Sequence, residues 1–325
     1  MKIFMVGEAA NHREKLEAGL CDRVRQQAEI IALPREAAHS GEFDSQISPE
    51  DIVISLHFRR NTGEAPACRL LHVPGAGLDG ITFEALSPTT TVCNVFEHQG
   101  PIAEFVLASI LHWEIRFDEL RRSFSPDNWS EVYRHRVPHG ELRGKTVGII
   151  GFGRIGRAIG ELARGFGVHL LATDANPIGP ADGVEQAADL SQLLETADYV
   201  VIACPLSEST RDLIGEQEFR QMKPTGVIIN ISRAEIIVEE ALYHALRTEQ
   251  IRGASLDVWY RYPSGATDEV RPSDYPFHQL PNAICTPHSS AWTRELMERR
   301  YAVIARNVNA LIAGTSLENV VRQGR

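Results

Sequence analysis

Three glycines, an aspartate, an arginine and a histidine are the residues of this chain whose types and spacing point most directly to chemistry. Gly151, Gly153 and Gly156 form G-x-G-x-x-G, with Arg154 and Ile155 between the second and third glycines. The first glycine permits a tight turn, the second lets backbone approach a pyrophosphate, and the third lets a helix pack against a strand. A helix opening there offers unpaired N–H groups and a positive dipole end to phosphates. Asp174 stands further along, where an acidic side chain can hold both hydroxyls of a ribose. Arg233 is a cation able to hold a carboxylate and polarise a carbonyl. His288 is of the type whose unperturbed pKa lies nearest neutrality, suited to passing a proton. Together they would bind a dinucleotide and move a hydride and a proton at a carbonyl carbon.

These residues need a parallel sheet to position them. Val147 to Ile150 is an apolar run ahead of the glycines, Arg157 to Phe166 reads as a helix, and His169 to Thr173 is a second strand ending at Asp174. The alternation continues with a helix at Ser191 to Thr196, a strand at Asp198 to Ala203 and a helix at Glu216 to Met222. A strand at Gly226 to Ile231, a helix at Glu239 to Thr248, and strands at Ile251 to Val258 and Asn282 to Cys285 follow. Continuous apolar runs of this kind read as parallel strands buried on both faces. Arg233 and His288 each follow a strand, at the end where ligands bind in such sheets.

The first hundred residues repeat the pattern. Strands are expected at Lys2 to Val6, Ile30 to Leu33, Asp51 to Leu56 and Leu70 to Val73, with helical spacing over Asn11 to Gln27. Pro101 to Phe117 is a helix candidate, Arg121 to Pro138 reads as a polar, aromatic loop, and Glu295 to Ala313 is a long amphipathic helix. The expectation is an α/β protein in two parts. Residues 100–288 form a Rossmann-type doubly wound parallel sheet domain. It is inserted into a smaller flavodoxin-like α/β substrate domain made of residues 1–99 and 289–325, and the cleft between them is expected to hold the nicotinamide and substrate.

The formal charge is −10, from 33 basic and 43 acidic residues among 325, and no basic block offsets it. Nucleic acid is therefore not expected as a partner. No stretch approaches the roughly 18 apolar residues of a membrane span, so no membrane is expected either. The apolar run near Met1 is shorter than the roughly 7–15 residues of a secretory h-region and reads as a first strand. Cys21, Cys68, Cys93, Cys204 and Cys285 are odd in number and lack a C-x-x-C, which suggests neither disulfides nor a metal site. Cys204 and Cys285 lie in apolar runs and are expected to be buried. The cytoplasm is the expected compartment.

The chain resembles the D-isomer-specific 2-hydroxyacid dehydrogenases over nearly its whole length. The family's motifs stand here as Gly75-Ala76-Gly77-Leu78-Asp79-Gly80, the glycine turn Gly151 to Gly156, Cys204-Pro205-Leu206, Asn230-Ile231-Ser232-Arg233, Leu256-Asp257-Val258 and Thr286-Pro287-His288. The resemblance implies NAD as cofactor and a small 2-oxo or 2-hydroxy acid as substrate. It implies that Arg233 binds the 2-oxo acid, that His288 transfers the proton, and that N–H groups of Ala76 and Gly77 hold the carboxylate. Asp257 would lie beside the nicotinamide carboxamide, and Cys204, Pro205, Thr210 and Ile231 would line the cofactor site. A homodimer is implied by resemblance alone. Ala175-Asn176-Pro177 offers no basic residue for a 2′-phosphate, which agrees with NAD rather than NADP.

The pattern breaks at Tyr262. The family usually has a glutamate there, which pairs with the histidine and favours its charged form. A neutral phenol supplies no such charge, although it can hydrogen-bond the ring or simply pack on it; Asp268 and Glu269 follow as candidate substitutes. Two alternatives stay open: a formate-dehydrogenase-like hydride transfer without a proton relay, and a non-catalytic NAD(H)-sensing regulatory protein. His98 stands before the helix at Pro101, where the formate enzymes have an asparagine; it faces the substrate or caps the helix. Ala234 replaces the family's glycine, which would strain a left-handed turn. Arg59 and Arg60 end a strand and are read as a solvated turn or as a hold for a second anionic group. Trp259, Tyr260, Tyr262 and Trp292 make the His288 region aromatic.

Overall fold

The computed structural model describes residues 1–60, 63–179, 183–263 and 268–325. By internal contacts the chain divides into two units. One comprises Met1–Glu97, Pro263–Asp268 and Thr293–Arg325; the other, inserted into it, comprises His98–Tyr262 and Glu269–Trp292.

In chain order the first unit contributes β1 (Lys2–Val6), α1 (Arg13–Gly19), α2 (Asp22–Gln27), β2 (Glu29–Leu33), β3 (Ile52–Ile54), β4 (Leu70–His72) and β5 (Thr91–Cys93). The second unit opens with α3 (Gln99–Ile115), α4 (Phe117–Ser123), α5 (Trp129–Arg134), β6 (Thr146–Ile150), α6 (Arg154–Arg164), β7 (His169–Thr173) and β8 (Glu185–Gln186). It continues with α7 (Leu190–Thr196), β9 (Tyr199–Ile202), α8 (Glu216–Gln221), β10 (Val227–Asn230), α9 (Glu239–Arg247), β11 (Gly253–Leu256) and β12 (Ala283–Cys285). The chain then returns to the first unit through α10 (Arg294–Ala313) and β13 (Val320–Arg322).

The first sheet runs β2-β1-β3-β4-β5, all parallel, with β13 added antiparallel beside β5. This is the flavodoxin-like order. Period-2 alternation divides its apolar residues between two cores. Ile3, Met5, Ile52, Ile54 and Leu70 pack with Leu16 of α1 and Tyr301, Ile304 and Val308 of α10, whereas Phe4, Val53 and Leu71 pack on the opposite face with Phe58 and Leu86.

The second sheet runs β8-β7-β6-β9-β10-β11-β12, all parallel. Counted from β6, this is the Rossmann order with one strand added. Val147, Ile149, Tyr199, Val201, Val227 and Ile229 meet α3 and α6 on one face; Ile150, Val200, Ile202, Ile228 and Ala254 meet α7, α8 and α9 on the other.

Some elements differ from the sequence reading. The stretch Asn11 to Gln27 breaks at Leu20 and Cys21 into α1 and α2, Leu20 being extended, and Gly19 meets Ala305 of α10 so closely that a Cβ would lie 2.6 Å away. The Asn309 side chain holds the break, accepting from the Cys21 N–H and donating to the Gly19 carbonyl, both at 3.0 Å. The expected loop at Arg121 to Pro138 contains α5 and the end of α4. α3 stops at Ile115 rather than Phe117 because Arg116 turns left-handed, at φ 57°. β5, β8 and β13 were not expected; each is only two or three residues long and takes its identity from its neighbours. Cys204 is buried as expected but Cys285 is only half-buried.

Candidate functional site

The glycine turn joins β6 to α6. Gly151 has φ +93°, and a Cβ there would lie 2.5 Å from the backbone of Cys204, so conformation and space both demand glycine. A Cβ on Gly156 would lie 2.5 Å from the Gly151 carbonyl oxygen, which lets α6 seat against the turn. Gly153 differs: nothing lies within 4 Å of its would-be Cβ, and it caps α6 ahead of Arg154 and Ile155. That open face beside the first turn of an eleven-residue helix has room for a phosphate.

Asp174 follows β7. It accepts from the Phe152 N–H at 2.7 Å and from the backbone and side-chain N–H groups of Asn176 at 2.9 and 3.2 Å. Burial opposes its charge, but these donors and Arg157 outweigh it and hold the carboxyl below its usual range. The carboxylate is thus fixed and ionised, with three of its roughly four lone-pair sites filled and room for a hydroxyl donor. It lines an open hollow with Phe152, Gly153, Arg157, Asn176 and Ile178. These residues fit the phosphate and ribose of a dinucleotide.

After β9, Thr210 pins the Pro205 loop: its hydroxyl donates to the Pro205 carbonyl at 2.6 Å and accepts from the Ser207 N–H at 2.7 Å. Ser232 donates to the Cys204 carbonyl, linking this loop to the one after β10. Ile231 is buried among the strands of the second sheet.

Arg233 sits at the C-terminal end of β10. The buried Asn230 fixes its turn by donating to the Arg233 carbonyl at 2.9 Å and accepting from the Ser232 N–H at 3.1 Å. The Arg233 guanidinium donates to the Ser232 carbonyl at 2.8 Å. Ala234 enters a short 3-10 turn, Ala234–Ile236, and is absent from the left-handed residues, so the strain expected for alanine does not arise.

His288 lies beyond β12 on a loop held by Asp257. Asp257, at the end of β11, is 0% exposed. Its Oδ1 accepts from the Thr286 hydroxyl at 2.6 Å and the Ser289 N–H at 2.8 Å, and its Oδ2 accepts from the Ser290 N–H at 2.8 Å. His288, between these anchors, has φ 55°. A left-handed non-glycine residue costs on the order of 1–3 kcal/mol and persists where its surroundings over-determine it. Bonds on both sides of His288 do so. The buried carboxylate that the resemblance assigned to the cofactor therefore also serves as the anchor of this loop.

Tyr262 stands against His288, with ring centroids 5.4 Å apart and planes at 56°. Its hydroxyl accepts from the Trp259 N–H at 2.9 Å, and the Trp259 indole donates to the Thr286 carbonyl at 2.9 Å. Burial raises the Tyr262 pKa, partly opposed by the Trp259 N–H and by the nearby charge of Arg233. The phenol therefore stays neutral at physiological pH. Arg233, Tyr262 and His288 are thus brought together at the ends of successive strands. Tyr260 does not join them; its hydroxyl donates to the Ile237 carbonyl at 2.9 Å. The part of Asn230 at the Arg233 turn and those of Thr286, Ser289 and Ser290, which reach Asp257 across long separations, have no local sequence signal.

His98 occupies the N-cap position of α3 and its carbonyl accepts from the Ile102 N–H at 3.2 Å. In the first unit, the turn carrying Ala76 and Gly77 follows β4. The Asn94 side chain donates to the Ala76 carbonyl at 3.1 Å, and the Val95 N–H to the Gly75 carbonyl at 3.1 Å. Arg60 is not a solvated turn residue. It is 7% exposed, forms a two-point pair with Asp44 and donates to the Ala38 and Arg59 carbonyls.

A Rossmann sheet with a glycine turn open to a phosphate, an ionised aspartate beside it, and Arg233 and His288 beyond its strand ends is an arrangement that suits a dinucleotide. Residues 107–290 match the model of the D-isomer specific 2-hydroxyacid dehydrogenase, NAD binding domain. D-3-phosphoglycerate dehydrogenase of Methanocaldococcus jannaschii is 31% identical over 79% of this chain and 48% of its own. Glyoxylate reductase of Korarchaeum cryptofilum is 33% identical over 68% of this chain and 65% of its own. The chain thus spans less than two thirds of either relative. The NAD-complexed D-isomer specific 2-hydroxyacid dehydrogenase of Lactobacillus delbrueckii ssp. bulgaricus superposes with TM-score 0.76 at 22% identity, over 99% of this chain and 100% of that one. The protein belongs to the D-isomer-specific 2-hydroxyacid dehydrogenase family, whose members are NAD-dependent oxidoreductases acting on 2-hydroxy and 2-oxo acids. Its cofactor is NAD. Among the described residues, no helix is long and apolar enough to cross a membrane.

Proposed function

We propose that the protein interconverts a D-2-hydroxy acid and the corresponding 2-oxo acid. The observation that carries this reading is the grouping of Arg233, Tyr262 and His288 at neighbouring strand ends, with His288 on a loop that Asp257 holds fast. NAD, when bound, supplies or accepts the hydride at the substrate's C2. Arg233 holds the carboxylate and draws electron density from the carbonyl. His288 gives a proton to the oxygen during reduction and takes it back during oxidation. Tyr262 orients the imidazole without adding charge. Gly153, Arg154 and Ile155 receive the pyrophosphate, and Asp174 holds the ribose and disfavours a 2′-phosphate. Cys204, Pro205, Thr210, Ile231 and Asp257 shape the rest of the cofactor site. The amides of Ala76 and Gly77 are the proposed hold on the carboxylate, and His98 is a further substrate contact.

NADH oxidation against a panel of 2-oxo acids tests this reading, with NAD reduction by formate as a second arm. Turnover of at least one 2-oxo acid that His288→Ala abolishes supports it; turnover of formate alone replaces it with hydride transfer without a proton relay.

The proposed assembly is a homodimer. Phe117, Phe124, Trp129, Tyr133 and Val137 are all exposed on or beside α4 and α5, with Trp129 ringed by Phe124 at 5.9 Å and Tyr133 at 5.1 Å. Such an apolar arm favours cover by a second copy. Sedimentation of wild type and Trp129→Glu checks it, the variant being expected to dissociate. Five free cysteines support a reducing compartment; burial pushes the Cys68 and Cys93 thiols up to about 12 and those of Cys204 and Cys285 to about 11. The cytoplasm is the proposed location.

A further inference from the structure

The first sheet has its own topological switch point. After β1 the chain crosses to β2 on one side, and it returns to β3 on the other. In sheets of this order, ligands settle in the crevice outside the carboxyl ends of those two strands. A small hollow of about 30 Å³, open to solvent, lies there, walled by Gly7 and Glu8 after β1, Arg35 after β2, and Ser55, Leu56 and His57 after β3. None of these residues has a part in the reaction described above.

Two of them also touch the proposed carboxylate turn. A Cβ on Gly75 would lie 3.3 Å from the Leu56 side chain, and one on Gly80 would lie 2.5 Å from the His57 ring and the Leu56 carbonyl. The hollow and the turn of Ala76 and Gly77 therefore share a wall. A substrate whose carboxylate rests on that turn would direct its other end toward the hollow.

Arg35 is the cation of the hollow's wall, with His57 beside it and Glu8 as the wall's acid. Arg35 and Arg59 both act on His39 and His57, whose rings lie 5.8 Å apart, and Asp79 is the acid that opposes them at His57. Burial lowers both histidines, followed by the arginines at His39 and by His39 and then the arginines at His57, so His57 is a neutral ring at physiological pH. Glu8 acts instead on His12 and Tyr301. Arg60 is already neutralised by Asp44. The Arg35 guanidinium spends one N–H on the Pro263 carbonyl at 2.9 Å, and a guanidinium carries five.

We propose that this hollow receives a second anionic group of the substrate, so that the substrate is a 2-oxo acid bearing a distal carboxylate or phosphate, with Arg35 as its main contact and His57 as a donor beside it. The proposal rests on the 2-oxo acid reading given above. Arg35 and His57 set specificity and take no part in hydride or proton transfer.

Two measurements on the full chain test it. Steady-state reduction with NADH compares 2-oxoglutarate with 2-oxopentanoate, which has the same chain length and lacks the second carboxylate; phosphohydroxypyruvate serves as the phosphate arm. Calorimetry with NAD present compares glutarate with pentanoate, neither of which can be reduced. The doubly anionic member of each pair is expected to win by about tenfold or more, and Arg35→Gln to remove most of that ratio, as befits a charge-assisted hydrogen bond. If no 2-oxo acid is reduced yet glutarate binding depends on Arg35, the site stands and the reaction reading falls. Reduction of 2-oxo acids with no preference for the second anion, or a ratio unchanged in Arg35→Gln, overturns the site and leaves the reaction reading intact. Neither binding nor turnover overturns both.

Discussion

Tyr262 presents its ring to His288 at 5.4 Å and its hydroxyl to the backbone N–H of Trp259. The residue beside the histidine is therefore a neutral group fixed at both ends. A carboxylate in the same place would favour the imidazolium. Tyr262→Glu should accordingly move the alkaline fall of kcat/KM for 2-oxo acid reduction upward by about one pH unit or more. The sign follows from reduction needing the protonated ring. Tyr262→Phe keeps the ring packing and should leave the fall where it is. Full pH–rate profiles of both variants check this; identical profiles for wild type and Tyr262→Glu would remove Tyr262 from any influence on His288.

Asp257 gives the second prediction. Its buried carboxylate receives three donors that straddle His288. Asparagine has one oxygen fewer and would turn N–H groups toward the Ser290 or Ser289 amide. Asp257→Asn should lose about 1–3 kcal/mol of stability for a buried donor left unmet. It should also lower kcat as the left-handed His288 loses its anchors. Urea unfolding and turnover measured together decide it; full stability with full kcat would show that the loop holds itself.

Asp174 gives the third prediction, on the choice of cofactor. Its carboxylate is held ionised by Phe152 and Asn176 in the hollow beside Gly153. Asp174→Ala should cut kcat/KM with NADH by about tenfold or more, through lost charge-assisted bonds. It should raise the NADPH-to-NADH ratio, because a negative charge facing a 2′-phosphate has gone. An unchanged ratio would mean that discrimination lies elsewhere.

His72 makes the fold sensitive to acid. The ring is wholly buried, and its Nε2 accepts from the Asn307 amide at 2.9 Å. Burial lowers its pKa from 6.5 to about 4. A folded value below the unfolded one means that the unfolded chain takes up the proton first. The stabilisation is complete above pH 6.5 and is lost as pH falls toward 4. At about 1.4 kcal/mol per pH unit the loss is about 3 kcal/mol. Urea unfolding of wild type and His72→Gln across this window should show a shallower decline in the variant; parallel curves would mean the ring is protonated without cost.

The sequence makes the chemistry-bearing residues legible because each follows an apolar strand. Gly151, Asp174, Arg233 and His288 stand at ends that a continuous apolar run announces. The grip of Asp257 on Ser289 and Ser290 and that of Asn230 on the Arg233 turn depend on how strand ends align, which no local pattern encodes. The same is true of β13, a short strand whose character comes from pairing with β5. Arg60 reads as a charged turn until Asp44 is brought to it by the fold. Helices α4 and α5 were hidden because their aromatic residues are exposed and give no core-facing stripe.

Transfer of deuterium from 4-deuterated NADH tests the central claim most directly. The protein is incubated with the labelled cofactor and a set of 2-oxo acids, and the products are resolved by chiral chromatography and NMR. Deuterium at C2 of a D-2-hydroxy acid, absent from Arg233→Ala and His288→Ala reactions, is the result expected. NADH that binds tightly and gives no C2-labelled product with any 2-oxo acid would contradict it and leave a dinucleotide-binding protein that catalyses no such transfer.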